Sequence, residues 1–328
     1  MADLVLKLAV GDYDHVRDLA DGKVRIDGVR IEHVDLPVEE IFARFTQTRE
    51  WDISEMSLAR YVALVSRGDP GLTGIPVFTS RFFRQHAIYV RSDGPVADPA
   101  DLAGRRVGIP EWVQTAIVYV RAWLTHEVGI ALSDIEWVRA AINSPALEHQ
   151  VPPVLPDGVR YREAPDRALV DMLLGGEIDA IICAHPPELF ERRDPRIRRL
   201  VRDWPAVERQ YWERTGIFPI MHMIALRRDV YDRAPWIGPA LCRGFEEAKR
   251  RSLERALDGN ICRYPIPWAF ACAERAREMF GDDFWPYGLG PLNQRTLEAF
   301  LRFSSEQGVV VRPLGVDELF PENVRGSG

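Results

Sequence analysis

The chain has 328 residues, 46% of them hydrophobic and 28% charged, with a formal net charge of −7. This is an ordinary globular composition, long enough for two domains or one large one. An acidic balance with no basic face argues against a nucleic-acid partner, and no apolar stretch approaches the length of a membrane span.

Apolar runs alternate with helical patterns along the chain, which favours an α/β architecture. Leu4–Val10 reads as a strand ending in the loop "GDYDH", and the N-terminus, "MADLVLKLAVGDYD", has no basic region and no small-residue cleavage site. It is expected to be a first strand rather than an export signal, and the protein to be cytoplasmic. Val24–Val34 reads as a second extended segment with an Asp27-Gly28 turn, Val38–Thr46 as a helix, and Ile53 as the start of a short strand running into a helix. A further strand is expected within Phe78–Val90. It contains "SRFFRQHAIYV", with Arg81, Arg84 and His86 ahead of an apolar run.

A new unit starts near Asp98. "DPADLAGRRVGIP" gives a helical turn and a strand at Arg106–Ile109. In the segment that follows, Ile117, Val120, Trp123 and Leu124 keep helical spacing. Ile135–Val138 is another strand, and the Pro-rich run at 151–158 is a loop. Next comes "VRYREAPDRALVDMLLGGEIDAIICA", a strand, a helix, a stop at Gly175-Gly176 and a strand. "IFPIMHMIALRRD" is again a strand, and helices fill the remainder, the longest from about Pro235 to Leu257. The four cysteines, Cys183, Cys242, Cys262 and Cys272, show no C-x-x-C spacing, so buried free thiols are expected rather than disulfides or metal ligands.

"DLAGRRVGIP" leading into a helix, then "GEIDAII", then a return strand, resembles type II periplasmic-binding-protein folds. The resemblance implies two α/β lobes with a ligand cleft between them. Residues 1–92 and 225–328 would form one lobe and 93–224 the other, with crossovers near Ile88–Asp93 and Ile220–Arg228. More closely, "GDYD", "DISEMSLARYV", "SRFFRQHAIYV", "GIPEWVQTAIVYVRAWL", "GIFPIMHMIALRRDVY", "FWPYGL" and "TLEAFLRFSSEQG", in this order, are similar to the 4,5-dihydroxyphthalate decarboxylase family. That implies a cofactor-independent carboxy-lyase acting on an aromatic dicarboxylate in phthalate catabolism. A solute-binding protein for an anion, or a menaquinone-pathway-type enzyme on the same fold, is the alternative.

A dianionic aromatic substrate needs cationic partners in the cleft, and arginine matches carboxylates best. Arg81 and Arg84 are the candidates, each alternatively a salt-bridge partner of Asp52 or Glu55. In an extended segment Arg84 and His86 share a face and Arg81 takes the other. The loop-to-helix junction "GIPEWVQTA" offers a second anion site through helix N-terminal amides, Gln114 and Thr115. Trp112 either stacks on the substrate ring or packs in the core. Decarboxylation of a dihydroxyarene needs no metal or organic cofactor in principle, only a proton donor and an acceptor for the catechol. His86 and His222 are the candidate donors, since both segments are expected to cross between lobes. Because the Gln85-His86 order departs from the family's pattern, His222 is favoured. His185 follows a strand whose end faces ligand in this fold, while His15, His33, His126 and His149 read as surface or loop residues. Asp12 and Tyr13 follow the first strand, and Asp12 is either the catechol acceptor or a helix cap. Asp14 lies nearby. Glu55 and Ser57 alternate onto one face of the next strand. No spacing suggests a metal site or a nucleotide loop. The partner implied is a small aromatic carboxylate, and the oligomeric state is left open, a homo-oligomer included.

Overall fold

The computed structural model describes residues 4–68, 71–145 and 153–326, so His149 and the start of the Pro-rich loop lie outside the described residues. Among the described residues, eleven strands form two sheets. They are β1 (Leu4–Ala9), β2 (Val29–Val34), β3 (Ile53–Ser57), β4 (Leu72–Arg81), β5 (Ile88–Arg91), β6 (Arg106–Ile109), β7 (Glu136–Ala141), β8 (Arg160–Ala168), β9 (Ala180–Ile182), β10 (Ile197–Arg199) and β11 (Ile220–Arg227). The first sheet runs β2-β1-β3-β11-β4 and the second β10-β5-β9-β6-β7-β8. Helices cover both, so the protein is a two-lobed α/β structure. No helix among the described residues is long and apolar enough to cross a membrane.

The parallel pairs β1–β2, β1–β3 and β6–β7 demand long crossovers, which the sequence supplies as helices. Asp14–Ala20 lies between β1 and β2, and Thr115–Trp123 between β6 and β7. A further helix, Leu169–Leu174 between β8 and β9, is stopped by Gly176 at a φ of 71°. Only a residue without Cβ takes that left-handed turn at no steric cost.

The chain changes sheet earlier than the sequence suggests. β4 ends at Arg81, a 3₁₀ turn at Gln85–Ala87 follows, and β5 pairs with β9 and β10 of the second sheet. The return is equally abrupt. β11 pairs antiparallel with β3 and β4 from Ile220 onward, so residues 216–219 make the second link. Both links therefore precede the expected boundaries at 92 and 224, because each of these strands spends its full length on partners in one sheet. "SRFFRQHAIYV" is thus two strands in two sheets joined by a turn, not one strand.

Beyond β11 no strand among the described residues is added to either sheet. The helix Ile237–Ala256 packs on the helix Asp14–Ala20, and their contact is charged. Asp14 accepts from Ser252 at 2.8 Å and from Arg255 at 2.9 Å, and Asp18 accepts from Arg255 at 2.8 Å. Asp14 therefore faces this helix contact. Cys183 and Cys242 are buried thiols as expected, but Cys262 and Cys272 are exposed. They lie on a lightly packed excursion whose helix, Ala269–Phe280, buries no residue fully.

Burial alone would raise the Asp14 pKa, but the hydrogen bonds from Arg255 and Ser252 bring it down to about 2 from 3.8. A depressed carboxylate stabilises the fold above its unfolded pKa and loses that contribution as pH falls through its folded value. Screened by water at this helix contact, the contribution is about 1 kcal/mol. Asp14→Asn should lower the urea midpoint at pH 7 and flatten the stability loss between about pH 4 and pH 2. Identical acid unfolding curves for the variant and the parent would contradict this.

Candidate active site

A cleft of about 930 Å³ opens between the ends of the two sheets. The first sheet lines it with Tyr13, Ser57, Ser80, Met221 and His222. The second lines it with Gln114, Thr115, Arg139, Asn143, His185 and Arg199, and the linking turn adds Arg84 and His86.

Its floor is organised by Glu55, which is fully buried at the centre of β3. A carboxylate there must be saturated with donors. Oε2 accepts from the Gly11 amide at 3.0 Å. Oε1 accepts from Tyr13 Oη at 2.7 Å and Thr79 Oγ1 at 3.0 Å, and pairs with His222 Nδ1 at 2.8 Å. Burial pushes the Glu55 pKa up, but these donors outweigh it and hold the carboxyl below its usual value. Conversely, burial and the adjacent anion push the Tyr13 phenol far up, so it stays a donor. With Nδ1 turned to Glu55, the remaining ring nitrogen of His222 is left for the cleft. Register shifts in β11 on both sides of His222 re-aim this residue, and Phe42 meets its ring edge-on at 4.8 Å.

His86 repeats the arrangement from the other link. Its Nδ1 lies 2.7 Å from Glu208 Oε1, and its ring lies between Phe82 and Trp204. Glu208 comes from the helix Trp204–Thr215, 122 residues away in the chain. Two histidine–carboxylate pairs thus serve one cleft.

Arg84 also lines it. Its guanidinium donates to Ala184 O at 3.1 Å and to Met221 Sδ at 3.2 Å, with no carboxylate oxygen within 4.0 Å among the described residues. Burial lowers its pKa to about 10, which leaves it charged at neutral pH. Gln114 precedes the helix Thr115–Trp123, whose N-terminal end opens on the cleft, and its Oε1 is buried without a partner.

Other expected residues take different roles. Arg81 is not in the cleft. It is 2% exposed and donates to Phe218 O, Pro286 O and Asn293 Oδ1, between the rings of Phe78 and Phe218. It ties β4 to the C-terminal segment. Asp12 points outward from its loop and pairs with Arg17 at 2.8 Å, so it neither meets the cleft nor caps a helix. Trp112 is core. Its Nε1 donates to Gln307 O at 2.9 Å, and Arg121 covers its ring at 3.7 Å. Glu55 lies beneath the floor and holds His222 rather than lining the cleft. Ser57 and Thr115 line the cleft, but their hydroxyls bond each other at 2.9 Å across it. His185 lines the mouth and pairs with Glu39 at 2.6 Å, an interaction that lowers the Glu39 pKa to about 2 and raises that of His185. His15 is half-buried beside Tyr13, 3.0 Å from Thr79 O, and burial lowers its pKa to about 4. Sequence reading missed Glu208, Thr79, Phe42 and Arg199. Thr79 alone left a signal, by sharing the alternation of its strand.

The two-lobed α/β protein, with arginines and histidines lining the cleft, has a periplasmic-binding-protein-like fold. Solved structures agree on the fold. A putative periplasmic sulfonate-binding protein of Methylobacillus flagellatus matches with a TM-score of 0.59 at 12% identity, covering 99% of this chain and 93% of that one. The periplasmic aliphatic sulphonate binding protein of Escherichia coli matches with a TM-score of 0.55 at 13% identity, covering 99% of each chain. No family model matches. The sequence is 37% identical over 321 residues to 4,5-dihydroxyphthalate decarboxylase of Comamonas testosteroni, covering 98% of this chain and 97% of that protein. It is 38% identical over 204 residues to the enzyme of that name from Pseudomonas putida, covering 62% and 79% respectively. The chain belongs to the 4,5-dihydroxyphthalate decarboxylase family.

The two arginines of the opening turn should fail differently. Arg81→Leu leaves the buried Phe218 O and Asn293 Oδ1 without this donor and should cost about 3 kcal/mol in denaturant unfolding while ligand affinity stays normal. Arg84→Ala should keep its unfolding midpoint and weaken phthalate binding at least about 30-fold. Normal phthalate affinity in the Arg84 variant would remove it from the site.

Proposed function

We propose that the protein decarboxylates 4,5-dihydroxyphthalate to 3,4-dihydroxybenzoate and carbon dioxide in aromatic catabolism. One observation carries the reading: two histidines, each with Nδ1 engaged by a buried carboxylate, face a cleft that also holds the unneutralised guanidinium of Arg84. Binding an anion needs only the cation. Two oriented imidazoles add a means of moving protons. Membership of the decarboxylase family supports the same conclusion.

In this substrate each carboxyl-bearing carbon is para to a hydroxyl. Arg84 binds a carboxylate, and Gln114 Oε1 accepts a hydrogen bond from the catechol. The free ring nitrogen of His86 takes the proton of the hydroxyl para to the departing carboxylate, so the oxygen's electrons raise the basicity of that carbon. His222, protonated, delivers its proton there. The C–C bond then breaks, its electron pair restores the aromatic ring, and carbon dioxide leaves. His86 returns its proton to the oxygen, and water reprotonates His222. Glu55 stabilises the imidazolium before transfer and Glu208 the one formed on His86, and both rings stay oriented throughout.

The test is carbon dioxide release from 4,5-dihydroxyphthalate, run in light and heavy water. Product made in heavy water should carry deuterium at the vacated ring carbon. His222→Ala should lower turnover at least about 100-fold with a smaller change in the Michaelis constant. Tight binding without carbon dioxide release by the parent protein would favour a solute-binding role. Full turnover by both the His222 and His86 alanine variants would eliminate the histidine mechanism.

A further inference from the structure

The cleft is lined by four arginines, Arg60, Arg84, Arg139 and Arg199, and their charge balance is uneven. Arg60 pairs with Glu111 at 3.1 Å and Arg139 with Glu163 at 2.7 Å, so these two bring their own counter-charges. Arg84 and Arg199 have no carboxylate oxygen within 4.0 Å among the described residues. Glu208, which Arg84 senses electrostatically, is already engaged by His86.

Arg199 is nevertheless firmly held. Its Cζ lies 5.0 Å from the centroid of the Phe190 ring and 5.6 Å from that of Trp204. Its positive charge offsets part of the rise that burial gives the Tyr89 phenol, and its Nε is buried without a partner. A guanidinium fixed by aromatic faces beside a neutral phenol keeps its full positive charge and its fork of donors. The protein has spent packing to orient a cation it does not neutralise. A ligand with two carboxylates would complete the balance, one for each unpaired guanidinium.

We infer that Arg199 is the specificity-determining residue for the substrate's second carboxylate, so that Arg84 and Arg199 together select aromatic dicarboxylates over monocarboxylates. This rests on the decarboxylase reading above. Arg199 stands at the end of β10, on the opposite wall from His222, so the two arginines hold the ring from different elements. A monocarboxylate can use either guanidinium, whereas only a diacid engages both at once. Loss of one arginine should then cost the diacid far more than the monoacid.

The experiment measures phthalate and benzoate dissociation constants by calorimetry for the parent protein and for Arg199→Gln, alongside turnover of 4,5-dihydroxyphthalate. The parent should prefer phthalate. Arg199→Gln should weaken phthalate at least about 30-fold and benzoate less than about threefold, raising the Michaelis constant for the dihydroxy substrate in proportion. Arg199→Lys keeps the charge but loses the fork, and should fall between the two. It also serves if the glutamine variant does not fold. A parent protein that neither binds phthalate nor turns over 4,5-dihydroxyphthalate would refute the decarboxylase reading itself. A parent that does both, with the variants' phthalate affinity unchanged or weakened no more than benzoate's, would overturn the role of Arg199 alone.

Discussion

The arrangement of the cleft depends on the Glu55 carboxylate having no access to water. A charge so placed must collect donors from whatever surrounds it, and here they come from three strands and the loop after the first of them. The Gly11 amide and Tyr13 follow β1, Thr79 lies in β4 and His222 in β11. Satisfying one anion therefore aligns the strand ends, sets the loop after β1 and fixes a histidine ring. Removing any donor leaves part of a buried charge unmatched, which is a large penalty beside the marginal stability of a domain. The geometry of the cleft and the stability of the fold thus share one interaction.

The same logic separates the cations. The protein is acidic as a whole, yet its cleft gathers guanidinium groups. Where an arginine pairs with a carboxylate of the protein, as Arg60 and Arg139 do, or lies closed off from the cleft, as Arg81 does, the group belongs to the structure. Where it lines the cleft with no carboxylate beside it, as Arg84 and Arg199 do, the charge is available to a ligand. Burial without neutralisation is costly, and Arg81 offsets that cost with three acceptor atoms of the protein itself.

Much of this was legible in the sequence. The alternation of sheet and helix, the restart at Asp98 and the return strand are local patterns. So are Tyr13, Ser57 and Gln114, which follow from where strands end and a helix begins. Arg84 and His86 both line the cleft, where the sequence puts them on one face by extended-strand alternation and the structure by a 3₁₀ turn. Trp112 stays open between ligand and core in the sequence, because an aromatic residue beside a loop reads the same whether it faces inward or outward, and the structure places it in the core. Asp12 misled because its partner, Arg17, becomes visible only once the following helix is built. Glu208 and Arg199 could not have been found, since their meaning comes from contacts made across the second sheet and its helix. No spacing records a hydrogen bond between residues 86 and 208.

The contacts that span the cleft do not respond alike to salt. Ser57 bonds Thr115, Arg60 pairs with Glu111 and His185 with Glu39, so the walls are fastened at several points. The His185–Glu39 pair is largely solvent-exposed, and a pair of that kind contributes about 1 kcal/mol or less and fades with salt. Arg84 lies deeper, held by Ala184 O and Met221 Sδ. Added salt therefore weakens the exposed clasp between His185 and Glu39 before it reaches the contacts around Arg84.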